Sequence, residues 1–367
     1  MLISMKKIIY FIVLFVFSLS IGAQKTSFIV LGDIHYDRID DHDMQWVRAN
    51  KPNDISQIEN YTTITRSNWG DFMTHLRQMI KTKTPQIQGV IQCGDLSEGL
   101  AGDLKADQMA ENVMRAVDKS DLGVPWIIAK GNHDVTAGDP AKKAFGKYYI
   151  PMFRKQTNDA IIKTANYTYQ VGKTAFFVCD NFERNSVDPI VWLDSAAKAS
   201  TAKFKFVVFH EPIIPVTERC WHMYRTDEPN RQRLLQVVAS NKLIALVAHL
   251  HRYSVVRRTT QWGPIVQIMT SSVINNRDER STKNVLTQYG PSMAIESTWE
   301  PSTLELRKAY LSAEQPFVTF FKQCTLQGFG VLNIDESKSK IELNYYGGFS
   351  KLPFDTVDIS ALTTIKN

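Results

Sequence analysis

Apolar residues in this chain gather into short runs that stop at a glycine, a lysine-glycine pair or a histidine. Ser27–Leu31, Gly89–Cys93, Trp126–Ala129, Phe204–Phe209 and Leu243–Val247 are the clearest, and their length suits strands buried on both faces. Helical spacing fills the gaps between the early runs. Phe72, Met73, Leu76, Met79 and Ile80 recur on one helix face with Pro85 beyond its end, and Met109, Val113, Ala116 and Val117 do the same before Gly123. Strand, helix, strand in this rhythm predicts a layered α/β fold with crossover connections. Later the pattern changes to hairpins. Tyr167–Val171 and Thr174–Cys179 flank Gly172-Lys173, and Phe329–Ile334 and Lys340–Tyr346 flank a polar turn as a closing C-terminal pair. Residues 36–70 and 276–310 lack clean periodicity, and both are expected to be loops at the rim of a binding site.

The residues that follow the strand-like runs carry the chemistry. They are Asp33-Ile34-His35, Gly94-Asp95, Gly131-Asn132-His133-Asp134, His210 and His249-Leu250-His251, and they take in five of the 8 histidines. In α/β sheets ligands collect outside the carboxyl ends of strands, where all of these segments fall.

Composition narrows the partners. The 367-residue chain has a formal charge of +6 and no block of Lys and Arg, so duplex nucleic acid is not an expected partner. The N-terminus places Lys6 and Lys7 before an apolar Ile8–Phe17 and small residues up to Ala23. This is the layout of a secretory signal peptide, with an uncleaved anchor helix as the competing reading. Cleavage after Ala23 leaves 24–367 as a single domain, exported to the periplasm or secreted. No later stretch is long and apolar enough to span a bilayer. Cysteines at 93, 179, 220 and 324 show no zinc spacing. Cys93 and Cys179 read as buried thiols, while a Cys220–Cys324 bond stays open.

Asp33 and His35 are two residues apart. In extended chain both side chains point the same way and can grip one ion; if the chain bends, they can divide between two neighbouring ions. His249 and His251 present the same choice. Asp95 has two oxygens with which to bridge ions, Asn132 offers a neutral oxygen and His210 a nitrogen. Mixed nitrogen and oxygen donors suit Mn, Fe, Zn, Co or Ni better than Ca or Mg. Two such ions about 3.5–4 Å apart can hold a hydroxide between them. His133 is placed to act as an acid, with Asp134 to orient it. Singly, each histidine also suits an ordinary structural role, and Asp33 and Asp95 after glycine suit helix N-caps. The ordered set is what favours a metal centre.

In that order, Gly32-Asp33-Ile34-His35, Gly94-Asp95, Gly131-Asn132-His133-Asp134, His210 and His249-Leu250-His251 resemble the signatures of the calcineurin-like metallophosphoesterases. The resemblance spans residues 32–251. It implies a four-layer αββα sandwich with two central mixed β-sheets. It also implies a first metal on Asp33, His35 and His251, a bridging Asp95, and a second metal on Asn132, His210 and His249. The implied activity is that of an exported dinuclear phosphoester hydrolase. A metal-bridging hydroxide attacks phosphorus, His133 protonates the leaving group, and small phosphomonoesters are the expected substrates. A phosphodiesterase acting on nucleotides or cyclic nucleotides is the alternative within the enzymes; a catalytically silent metal-dependent binding protein is the alternative outside them.

The chain departs from the family pattern in places. Ala248 stands where glycine is usual. Glu98 stands where the purple acid phosphatase branch has tyrosine, and His35 where that branch lacks histidine, which disfavours a tyrosinate-bound ferric site. Arg252 is expected to meet phosphate together with Asn132, ahead of Arg38, Arg219 and Arg225. Trp46, Trp69, Trp221 and Tyr224 are packing residues by default. His42, in an acidic surface run, and His75, on a helix flank, are expected to be non-ligands, and His222 is a weaker substrate contact.

Overall fold

The computed structural model describes residues 25–136, 138–180, 188–217, 228–273, 285–294 and 301–364. The expected signal peptide lies outside them. So do Arg219, Cys220, Trp221, His222, Tyr224 and Arg225, and with Cys220 the question of its bond to Cys324.

Among the described residues, each strand-like run read from the sequence is a strand. In chain order these are β1 (Lys25–Leu31), β2 (Ile87–Gln92), β3 (Trp126–Ile128), the hairpin β4 (Tyr167–Val171) and β5 (Thr174–Val178), β6 (Phe204–Val208) and β7 (Ile244–Val247). Six more follow: β8 (Tyr253–Thr260), β9 (Gly263–Met269), β10 (Val318–Cys324), β11 (Gly328–Asp335), β12 (Lys340–Gly347) and β13 (Asp355–Asp358). They form two mixed sheets, ordered β13-β12-β11-β1-β2-β3 and β10-β8-β9-β7-β6-β5-β4. β1, β2 and β3 run parallel in the first; β5, β6, β7 and β9 do so in the second. The closing C-terminal pair is present as β11 and β12, and β11 lies against β1 rather than at the sheet edge.

Alternation within the strands explains the layering. Phe176 and Val178 of β5 and Phe206 and Val208 of β6 face the first sheet, where Phe176 meets Phe28 of β1 edge-on at 4.7 Å. Their neighbours Phe177 and Val207 turn to the opposite face. That face is covered by Leu193, Leu235 and Leu311, from helices Pro189–Ala199, Glu228–Ser240 and Leu304–Glu314. The outer face of the first sheet packs on helices Ile55–Thr82, Ala106–Lys119 and Asp139–Thr157 through Phe72, Leu76, Val113 and Phe153. The result is the expected helix, sheet, sheet, helix sandwich. Fully burying one such aromatic stabilises it by about 1.5–3 kcal/mol.

One expectation is corrected. Residues 36–70 are largely helical: Met44–Asn50 forms one helix, and a second begins at Ile55 and runs unbroken to Thr82. Its buried face is polar in the middle. Thr62 Oγ1 donates to Asp37 Oδ2 at 2.7 Å, and Thr65 Oγ1 accepts from the Asp37 amide at 2.9 Å. With Ile58 and Tyr61 as its only buried apolar side chains before Phe72, this part of the helix has too thin an apolar stripe to announce it. The 276–310 stretch is likewise not a plain rim in its described part, since Tyr289, Met293 and Ala294 are buried against the second sheet.

The backbone just past β1 lies close against the segment after β9: an added Cβ on Gly32 would lie 2.0 Å from the Thr270 carbonyl oxygen. Gly32→Ala is expected to lower stability by about 1–3 kcal/mol. Gly70→Ala, in the exposed middle of helix Ile55–Thr82 with nothing within 4 Å of a new Cβ, should raise it by about 0.5–1 kcal/mol. Urea denaturation of both variants checks the pair.

Candidate metal centre

The five motif segments lie just past the carboxyl ends of β1, β2, β3, β6 and β7, so both sheets deliver them to one place. The chain turns sharply there. His35, Asp95, His249 and His251 have φ of 49°, 52°, 72° and 52°, a left-handed conformation that non-glycine residues seldom adopt. At His249 the Leu250 amide closes a three-residue turn on the Ala248 carbonyl at 2.9 Å. That reversal separates His249 from His251. Ala248, in place of the family's usual glycine, is fully buried and its amide still reaches the His210 carbonyl at 2.9 Å.

Donor atoms of Asp33, His35 and His251 converge within 4.8 Å of one another; so do those of Asp95, His210 and His249, and those of His35, Asp95 and His133. His35 Nε2 is 3.0 Å from His251 Nε2. His210 Nε2 is 2.9 Å from Asp95 Oδ2 and 3.1 Å from His249 Nδ1. Of the alternatives left by the sequence, Asp33 and His35 share a cluster and the His249–His251 pair divides. Asp95 belongs to two of the groups.

The donors fit transition-metal ions. The Cys93 carbonyl accepts from His210 Nδ1 at 2.8 Å, so Nδ1 carries a hydrogen and Nε2 is the nitrogen that faces Asp95. A ligating histidine bonded through its other nitrogen is the usual arrangement around a metal. Asp33 Oδ2 and Asn132 Oδ1 are buried without a hydrogen-bond partner among the described residues, as donors reserved for a cation would be. Electrostatics agree. Burial pushes the Asp33 carboxyl upward against His210, with Asp95 adding to the rise. Burial alone would lower His210, but Asp95 and Asp33 raise it to about 9. Burial drives His35 down to about 3, with His133 adding to the effect. A bound cation would relieve the crowding of buried carboxylates.

A model of the calcineurin-like phosphoesterase family matches residues 26–253. The chain belongs to that family. The fold is similar to that of purple acid phosphatase PPD1 from yellow lupin (Lupinus luteus) seeds, with a TM-score of 0.55 at 12% identity, over 92% of this chain and 54% of that one. It also overlaps with GAP50, the anchor in the inner membrane complex of Plasmodium, at a TM-score of 0.49 and 14% identity, over 94% and 90% of the two chains. The uncharacterized protein YvnB of Bacillus subtilis (strain 168) is 23% identical over 192 residues, 49% of this chain and 14% of YvnB. The chain therefore spans about half the length of the lupin protein and a small part of YvnB.

Around the donors the structure departs from expectation in two ways. The sequence predicts that Asp134 orients His133. Its carboxylate instead accepts from the amides of Asp95, Ser97 and Gly131 at 2.8–3.1 Å and from the Ser97 and Tyr149 hydroxyls at 3.0 and 3.2 Å. The His133 ring is held by the Glu98 carbonyl, which accepts from Nδ1 at 2.6 Å. Second, His42 is buried, not on the surface, between Asp37 Oδ1 at 2.7 Å and the Leu100 carbonyl at 3.1 Å. His75 packs between the rings of Phe329 and Phe349. Arg252 is half-buried and donates to the His251 carbonyl at 3.1 Å, whereas Arg38 is exposed. Trp69 packs edge-on against Tyr36.

Sequence reasoning passed over Gln92 and Gln267. Each is fully buried in a strand. Gln92 ties to both the amide and the carbonyl of Gly94, and Gln267 accepts from the amides of Ile213 and Ile214 just beyond His210. A lone glutamine inside an apolar run was the available signal. Asp134→Ala strips the acceptor from five donors, and since each buried donor left unsatisfied costs about 1–3 kcal/mol, stability should fall by at least about 3 kcal/mol. Chemical denaturation of the metal-free protein checks it; a change within error would rule out this bracing role.

Proposed function

We propose that this chain is a metal-dependent phosphoester hydrolase acting on small phosphomonoesters. The observation that carries the reading is the convergence of Asp33, His35 and His251 on one side and Asp95, His210 and His249 on the other, with Asp95 reaching His35 as well as His210. In this reading Asp33, His35 and His251 hold one ion, His210, His249 and Asn132 the other, and Asp95 lies between them. Bound transition metals supply positive charge for the phosphoryl oxygens and lower the pKa of the attacking water. The native metals are Mn, Fe, Zn, Co or Ni by their donor set.

The chain's own groups do the rest. The His133 and His251 side chains are 20% and 22% exposed, while Asp33, His35, Asp95 and His210 are buried. Substrate therefore approaches past His133. The Glu98 carbonyl fixes hydrogen on His133 Nδ1, which leaves Nε2 to carry a proton to the departing alkoxide. Nearby Asp95 and Glu98 outweigh the burial that would lower His133, so the ring holds its proton more tightly than usual. In this reading Arg252, next to His251, and Asn132 meet the phosphoryl oxygens.

Export belongs to the same proposal and rests on the charge and hydropathy of Met1–Ala23. Among the described residues no helix is long and apolar enough to cross a membrane. A mature N-terminus at Gln24, read by terminal sequencing of protein from the periplasm or medium, is the expected result; intact Met1 there would count against cleavage.

Hydrolysis of p-nitrophenyl phosphate should exceed that of its bis ester, vanish on chelation and return with Mn, Zn, Co or Ni. Two bound ions without turnover of either ester would favour a silent binding protein. His133→Ala should retain metal and cut turnover of esters with poor leaving groups by about 10²–10⁴-fold, with a much smaller loss for good ones. Equal losses would remove His133 from the acid role.

A further inference from the structure

Glu98 is a buried acid that belongs to none of the donor clusters. Its side chain is fully buried and both oxygens are engaged. Oε2 accepts from His35 Nδ1 at 2.7 Å and Oε1 accepts from Gln57 Nε2 at 2.7 Å. Its backbone carbonyl accepts from His133 Nδ1 at 2.6 Å. A ring nitrogen that donates leaves its partner with the lone pair. The carboxylate thus turns the His35 lone pair, on Nε2, toward Asp33 and His251. The peptide that follows is held close as well: a Cβ on Gly99 would lie 2.1 Å from the His133 carbonyl oxygen.

We propose that Glu98 is a positioning residue serving two imidazoles at once, its carboxylate setting His35 as a metal ligand and its carbonyl setting His133 as a proton carrier. The inference rests on the two-ion reading of the site. The two ties are separable, because a side-chain substitution removes the first and leaves the second. Glu98 therefore acts on one metal position and not on the other, since the His210 ring is set independently by the Cys93 carbonyl.

The experiment titrates metal-free protein with cobalt(II), followed by visible absorption and by competition with a chelator, for wild type, Glu98→Leu and Glu98→Gln. Wild type should take up two equivalents. Glu98→Leu should weaken one equivalent by about 10–100-fold, the usual loss when a ligand histidine loses its outer hydrogen-bond partner, and leave the other unchanged. Glu98→Gln keeps an acceptor oxygen and should recover part of that loss. Both variants keep the carbonyl that holds His133 Nδ1 but remove the carboxylate charge 3.7 Å from that nitrogen, so metal uptake rather than leaving-group selectivity is the readout. Near-ultraviolet circular dichroism establishes that each variant is folded, and the near-isosteric Glu98→Gln carries the test if Glu98→Leu is not. Equal weakening of both equivalents, or two variants that bind as wild type does, would overturn the inference. Wild type that binds no cobalt would instead overturn the two-ion reading, and the inference with it.

Discussion

The fold depends on a seam where two sheets meet at the carboxyl ends of their parallel strands. The Gly32 amide donates to Ser272 Oγ at 3.1 Å, the Ser272 amide donates to the Asp33 carbonyl at 3.2 Å, and the Gly328 amide donates to the Ser271 carbonyl at 2.7 Å. Asp33 adds a side-chain tie, since Oδ1 accepts from the His249 amide at 2.8 Å. These bonds are buried, and a buried donor or acceptor left unmade is costly. The seam therefore cannot open without breaking several at once. Asp33 is part of the seam and part of the donor cluster, so sheet packing and site geometry are one constraint.

Within that frame the site is held under local strain. Four donor residues sit in left-handed backbone, each at a cost of order 1–3 kcal/mol. Gly94, with φ of 93°, leaves no alternative at its position, because a Cβ there would lie 2.5 Å from the His210 ring. Polar side chains hold these turns in place. Asp134 gathers the amides of Asp95, Ser97 and Gly131, while Gln92 and Gln267 brace the turns after β2 and β6. Tyr61 stacks on the His35 ring with centroids 4.5 Å apart. The donor geometry is thus set by protein groups in advance of any ligand, the arrangement expected of a preorganised site.

Much of this was legible in the linear sequence, for a physical reason. Strands buried on both faces must be apolar throughout, so β1, β2, β3, β6 and β7 stand out against their polar ends, and the donor residues follow directly. Helix Ile55–Thr82 was legible only in its second half, where Phe72, Met73, Leu76 and Met79 pack on the first sheet. Its first half buries only Ile58 and Tyr61 among polar contacts from Gln57, Thr62 and Thr65, too sparse an apolar face for hydrophobic periodicity to register. Asp134 was read from its neighbour in the chain, yet its partners lie across a turn, on another strand's loop and on helix Asp139–Thr157.

The residue order alone determined the layered architecture, the family and the set of side chains able to hold a metal, because burial pattern and donor chemistry are properties of residue type and spacing. Which donors stand together, that His249 and His251 part, that Glu98 rather than Asp134 holds His133, and that an apparent loop is a helix were decided by tertiary structure. Those outcomes depend on backbone turns and on contacts between segments far apart in the chain, and neither is encoded in local spacing.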